Sequence, residues 1–111
     1  RQAFKHVRGI HCLDFPTDVR NNHSYFPVLV GPDYRMSRDA LYDLLKKNQI
    51  HARRYFYPLI SDFPMYRGLP SAQSSNLPVA SEAARHILCL PIFPDLDLRT
   101  VQRVVDIIAR A

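Results

Sequence analysis

Gln49-Ile50-His51-Ala52-Arg53-Arg54-Tyr55-Phe56-Tyr57-Pro58 is the stretch on which the reading of this chain turns. It follows an amphipathic segment and carries two adjacent arginines, three aromatic rings in a row and a proline. A surface strand has no structural need for so much charge and ring area together. Guanidinium groups bind carboxylates and phosphates through a planar fork, and tyrosine supplies both a stacking face and a hydroxyl. The segment is read as a strand, about Ile50 to Phe56, leading into a loop at the rim of a ligand site. The plainer alternative is an edge strand with solvated arginines and ordinary core aromatics. Side chains alternate across a strand, so Arg53, Tyr55 and Tyr57 are expected on one face and Ala52, Arg54 and Phe56 on the other. Only one of the two arginines then faces a given pocket, and Arg54 is expected in solvent.

Working upstream, Ser37 caps a helix with Asp39 in its first turn, where a carboxylate complements the positive helix end. Leu41, Leu44, Leu45 and Asn48 share one face, Lys46 and Lys47 point to water, and the helix ends near Asn48. Tyr25-Phe26-Pro27-Val28-Leu29-Val30 is the strongest strand signal, closed by Gly31-Pro32. Pro27 argues for an edge position or a bulge, because proline cannot donate to the ladder. Ile10 to Phe15 reads as a shorter strand stopped by Pro16. Arg1 to Val7 reads as the end of a longer helix, broken at Gly9.

Downstream, Asp62 to Tyr66 has the composition of a turn, and Arg67 to Asn76 that of a mobile loop. Pro78 opens a short helix through about His86. Ile87-Leu88-Cys89-Leu90 is a continuous apolar run, expected to be buried on both faces or at the sheet centre. Asp97 caps a last helix in which Leu98, Val101, Val104, Val105 and Ile108 recur at helical spacing. The sum is an α+β fold, a small, largely antiparallel sheet covered on one face by helices.

Composition sets the outer limits. The chain has 111 residues, enough for one domain with one modest core. It carries a formal charge of +5, and all but three of its fifteen basic residues are arginine. That balance suits an anionic partner of several kinds, but the arginines are dispersed and form no dense nucleic-acid tail. Cys12 and Cys89 sit in apolar runs, which fits reduced thiols in a cytoplasmic protein better than one disulfide. The histidines at 6, 11, 23, 51 and 86 lack ligand spacing, so no metal is expected. No run is long enough to span a bilayer, and no signal peptide opens the chain. Its first residue is Arg1 rather than methionine, as in a processed product or a piece of something larger.

Four pieces in order carry a resemblance. They are Asn22-His23-Ser24-Tyr25-Phe26-Pro27-Val28; Ser37-Arg38-Asp39-Ala40-Leu41-Tyr42 running into Gln49-Ile50; Ala52-Arg53-Arg54-Tyr55-Phe56-Tyr57-Pro58-Leu59; and Leu77-Pro78-Val79-Ala80 followed by Ile87-Leu88-Cys89-Leu90-Pro91-Ile92. Together they resemble the C-terminal small domain of the DegT-type nucleotide-sugar aminotransferases, which are fold-type I pyridoxal-phosphate enzymes. The last helix, with Val101, Val104 and Ile107, is similar to the family's ending. One departure is Gln49, where the family usually has glycine, so the helix must end without the residue that adopts a left-handed cap most readily.

The resemblance implies a division into residues 1–9, the end of a linker helix, and residues 10–111, the small domain. It also implies that the lysine bearing the cofactor, and the cofactor's other contacts, belong to a large domain upstream. Lys5, Lys46 and Lys47 have no matching context, so no catalytic, cofactor-binding or metal-binding residue is assigned here, and the fragment alone is expected to be inactive. The intact enzyme is expected to use pyridoxal 5'-phosphate and to move an amino group, from glutamate, to a keto-deoxysugar carried on a nucleotide diphosphate. It is expected to work as a homodimer, with no nucleic-acid or membrane partner. The substrate-binding candidates are Arg53, Tyr55, Tyr57, Asn22 and His23. Arg53 matches an arginine of the family motif and suits a carboxylate or phosphate; its alternative role is a structural salt bridge. The tyrosines either contact the sugar or pack in the core, and loop polarity alone also accounts for Asn22 and His23. The separate alternative is a small nucleic-acid-binding module using the basic, aromatic strand. It lacks the glycine-aromatic signature of RNA-recognition sheets.

Overall fold

Local sequence signals set the elements, and tertiary hydrogen bonds decide how they join. The computed structural model describes residues 1–111. Three strands, β1 (Ile10–Cys12), β2 (Phe26–Val30) and β3 (Ile87–Leu90), form one sheet in the order β1-β2-β3, with both pairings antiparallel. Three helices join them: α1 (Arg38–Lys47), α2 (Pro78–His86), which runs directly into β3, and α3 (Leu98–Arg110). The α+β expectation holds. The opening residues form only a short 3-10 turn, Gln2–Phe4, whose Phe4 is buried.

Register places Val28, Val30, Ile10, Leu88 and Leu90 on one sheet face. Leu41 and Leu45 of α1 and Val104 and Ile108 of α3 close over that face in a single cluster. Leu98 and Val101, expected in the same stripe, are exposed instead. Cys12 lies in line with Val28 and Leu88, whereas Cys89 pairs with Pro27 on the other face. With β2 between them, at about 4.8 Å per strand step, the two thiols cannot bridge, and both are free.

Two expectations fail for reasons the register makes plain. β2 is the central strand, not an edge, despite Pro27. Cys89 exchanges both of its backbone hydrogen bonds with Arg53, so its N–H and C=O point away from β2. The Pro27–Cys89 pair is therefore a non-hydrogen-bonded one, and the proline's missing donor faces the other way, past the end of β1 at Cys12. β3 is correspondingly the edge of the three-stranded sheet, although Leu88, Cys89 and Leu90 are buried, as their apolar run implied. The predicted strand Ile50 to Phe56 does not form: only Arg53 pairs, with Cys89, and Phe56 turns into the left-handed region at φ 46°.

Helix ends are closed with unusual care. Ser37 Oγ accepts from Ala40 N–H, and Asp97 Oδ1 from Thr100 N–H. At the C-terminus of α1, Gln49 N–H reaches Lys46 C=O and Ile50 N–H reaches Leu45 C=O, a Schellman motif that packs Ile50 and Leu45 into the core. Gln49 adopts φ 62° to make it, the conformation for which glycine is suited. The last carbonyls of α3 are met from the β2–α1 loop: Tyr34 OH donates to Ile108 C=O, and Arg35 donates to those of Ala109 and Arg110. Gly9, at φ 78°, leaves no room for a Cβ, which would lie 2.1 Å from Tyr34 N. Arg67 to Asn76 is a succession of 3-10 turns, tied by Asn76 Nδ2 to Pro70 C=O.

Gln49→Gly is expected to raise stability by about 0.5–1 kcal/mol, because relief of the left-handed residue outweighs the added unfolded-state entropy. Urea denaturation reads this directly. A second expectation concerns acid. Hydrogen bonds from Thr100 hold the Asp97 carboxyl below its ordinary value of 3.8. A depressed carboxylate stabilises above its unfolded pKa and loses that contribution as pH falls through the folded one. The stability gap between the native chain and Asp97→Ala should therefore be constant near neutrality and close at acid pH.

Candidate functional site

Where the chain leaves α1 through Gln49 and Ile50, it runs beside the exit of β3 and makes the reciprocal Arg53–Cys89 pair, at 2.9 and 2.8 Å. A groove of about 550 Å³ lies along this junction. Cys89 to Phe93 line one side, His51 and Arg53 another, Leu96, Thr100 and Val104 a third, and Ser24 and Tyr25 reach in from the start of β2. Its surface is mainly apolar, and Arg53 is the only lysine or arginine in it. Arg53 is exposed at its wall, and a mostly apolar concavity with a few polar groups is the usual form of a ligand site.

Arg53 enters no ion pair with any carboxylate of the chain. The structural salt bridge weighed as its alternative role is absent. Its nearest consequence is on Cys89, whose thiol is pushed up by burial and pulled back by the Arg53 guanidinium. Tyr55 does not stand beside Arg53 as strand alternation required. It packs against Tyr25, ring centroids 4.9 Å apart, and against Phe56 at 4.2 Å. Tyr55 therefore supports a groove wall through Tyr25.

Tyr57 lies elsewhere, under two guanidiniums, with Arg38 4.8 Å and Arg54 5.3 Å from its ring centroid. Arg54 is not simply solvated: it also covers Tyr42 at 4.7 Å and bonds Asp39 Oδ1 at 3.2 Å. The two adjacent arginines diverge to opposite sides of the segment, so they form no continuous basic stripe. Asn22 accepts from Ser24 N–H in a local turn, and His23, at φ 54°, hydrogen-bonds Asn21; neither lines the groove. Their neighbours Ser24 and Tyr25 do.

Arg38 went unnoticed in the sequence. It is 3 % exposed, and its guanidinium bonds Asp39 Oδ1, Ala84 C=O and Ile87 C=O. One signal was present: a cation at a helix N-terminus opposes the helix dipole and needs some other reason to be there. His51, Phe93 and Thr100 were likewise missed: the strand and helix patterns around His51 and Thr100 place their backbones but do not show that they meet at one groove.

The chain belongs to the DegT/DnrJ/EryC1/StrS aminotransferase family, whose profile matches residues 1–109. Among curated proteins it is 46% identical over 108 residues to the dTDP-4-amino-4,6-dideoxy-D-glucose transaminase of Escherichia coli, covering 97% of this chain and 29% of that one. It is 39% identical to the Shigella dysenteriae protein of the same name, with the same coverage of each. Among solved structures, DesI in the presence of its TDP-sugar product superimposes with a TM-score of 0.87 at 28% identity, covering 99% of this chain and 28% of that one. The chain thus spans under a third of the length of the relatives it matches. It is a fragment-length match to nucleotide-sugar aminotransferases, and no helix in it is long and apolar enough to cross a membrane.

Proposed function

We infer that residues 10–111 are the small domain, and residues 1–9 the linker, of an aminotransferase that aminates a keto-deoxysugar carried on thymidine diphosphate. The observation that carries this reading is the Arg53 guanidinium, free of any ion pair, at an apolar groove in a chain 46% identical to a dTDP-sugar transaminase. The amine comes from glutamate, which leaves as 2-oxoglutarate. Taking the amino sugar in the relative's name as the product of the reaction proposed here, and replacing its amine by an oxo group, gives the acceptor, dTDP-4-keto-6-deoxyglucose.

Pyridoxal phosphate supplies the electron sink for this chemistry when bound. The residues present here do not fit the role of holding it. The groove contains no lysine, and Lys5, Lys46 and Lys47 stand exposed on the outside of the fold. The cofactor belongs to the remainder of the parent protein. This chain's own contribution is grip: Arg53 holds a carboxylate or phosphate through its fork, Tyr25 backed by Tyr55 offers a ring face, and Ile92, Phe93 and Leu96 exclude water. The exposed apolar side chains Phe56, Ile60, Met65 and Leu69 support the reading that a larger partner domain covers this side. The parent works as a homodimer in the cytoplasm.

In the intact enzyme, Arg53→Ala should raise KM for the donor or the sugar nucleotide about 10- to 100-fold, the scale of one lost charge-assisted bond. The melting temperature should hardly move, since no folded-state ion pair is lost. Coupled detection of 2-oxoglutarate, run with and without the keto-sugar nucleotide, checks both the reaction and the variant. Loss of stability in proportion to activity would contradict the binding role.

A further inference from the structure

We propose that Arg38 and Arg54 are positioning residues, and that one buried guanidinium, Arg38, holds both chain segments that meet at the Arg53–Cys89 pair. The inference rests on the reading of Arg53 as the substrate-gripping group, and it concerns what keeps that group in the groove.

A buried arginine is costly unless its donors are used and its charge is matched. Arg38 satisfies both conditions with groups of the fold itself. Nε donates to Asp39 Oδ1 at 2.8 Å, and one terminal nitrogen donates to Ala84 C=O at 2.9 Å and Ile87 C=O at 3.1 Å. Those carbonyls lie where α2 passes into β3, two residues before Cys89 at the nearer of them. The carbon of the same guanidinium lies 4.8 Å from the ring centroid of Tyr57, four residues beyond Arg53. Arg54 completes the arrangement by sharing Asp39 Oδ1 and covering the same ring.

The geometry explains why so short a contact endures. A single antiparallel pair, without a ladder on either side, has little cooperativity of its own. Tying Ile87 on one segment and Tyr57 on the other to a common cation limits how far the two can slide. Arg38 has no accessible face for substrate, so it acts only through Arg53. Lysine cannot replace it: an ammonium lacks the planar fork and stacks poorly while reaching two carbonyls and a carboxylate.

The test uses the intact holoenzyme with Arg38→Lys, Arg54→Gln, Arg53→Ala and the double variant Arg38→Lys/Arg53→Ala. Hydrogen exchange at the Arg53 and Cys89 amides should quicken at least about tenfold in Arg38→Lys and by less in Arg54→Gln, with α3 unaffected. KM for the ligand that Arg53 grips should rise in Arg38→Lys, and the double variant should be no worse than Arg53→Ala alone. Unchanged exchange at the pair overturns the proposal, as does acceleration spread evenly over the chain. If Arg38→Lys fails to fold, Arg54→Gln, whose side chain is partly exposed, decides the matter by the same exchange criterion. Faster exchange at the pair combined with an unaltered KM in Arg53→Ala would uphold the positioning role and overturn the substrate-binding reading instead.

Discussion

Two backbone hydrogen bonds between Arg53 and Cys89 join the segment after α1 to the edge of the sheet, and the rest of the site depends on them. They turn the peptide groups of Cys89 away from β2, which lets Pro27 occupy a central strand without leaving a ladder donor missing. They also put Arg53 on the same side as Cys89, beside the groove that Thr100 and Val104 of α3 help to line. A single pairing thus fixes the register of the sheet's edge and the direction of the one groove cation.

The arginine-rich composition takes on a different meaning once the hydrogen bonds are known. Arg35 donates to carbonyls at the end of α3, Arg38 to those at the end of α2, and Arg103 to Asn48 C=O at the end of α1. These are the acceptors that a helix C-terminus leaves without an internal donor. A guanidinium supplies several donors and a charge that complements the negative helix end. Three of the fifteen basic residues are therefore committed to internal architecture, which removes them from any basic stripe.

Wherever one residue's chemistry decides a local outcome, the sequence was legible. Ser37 and Asp97 cap the helices they were expected to cap, and the apolar runs of β2 and β3 form strands. The Gln49 departure was visible, and the backbone there is left-handed as a glycine position would be. What could not be read was how segments distant in sequence share hydrogen bonds. Ile50 to Phe56 has strand composition, yet α1 ends in a motif that consumes Ile50 N–H, and the turn at Phe56 breaks the extension. Alternation therefore misplaced Tyr55 and Tyr57 relative to Arg53. Arg38 carries no signal of burial in the sequence, and it is buried where α2 and Tyr57 converge on it. Arg53 lines the groove, whereas the way Tyr25, Cys89, Leu90, Thr100 and Val104 gather around it depends on tertiary contacts that their separate strand and helix patterns do not encode.

The role we propose is that of a part that grips substrate while the reactive chemistry is housed in another part of the protein. The most direct test is a structure of the complete enzyme with cofactor and dTDP-amino-sugar product or glutamate bound. The account predicts the Arg53 guanidinium within hydrogen-bonding distance of a ligand phosphate or carboxylate, with Cys89 still paired to its backbone. An Arg53 side chain turned to solvent or to a protein carboxylate, with both ligands bound elsewhere, would contradict it.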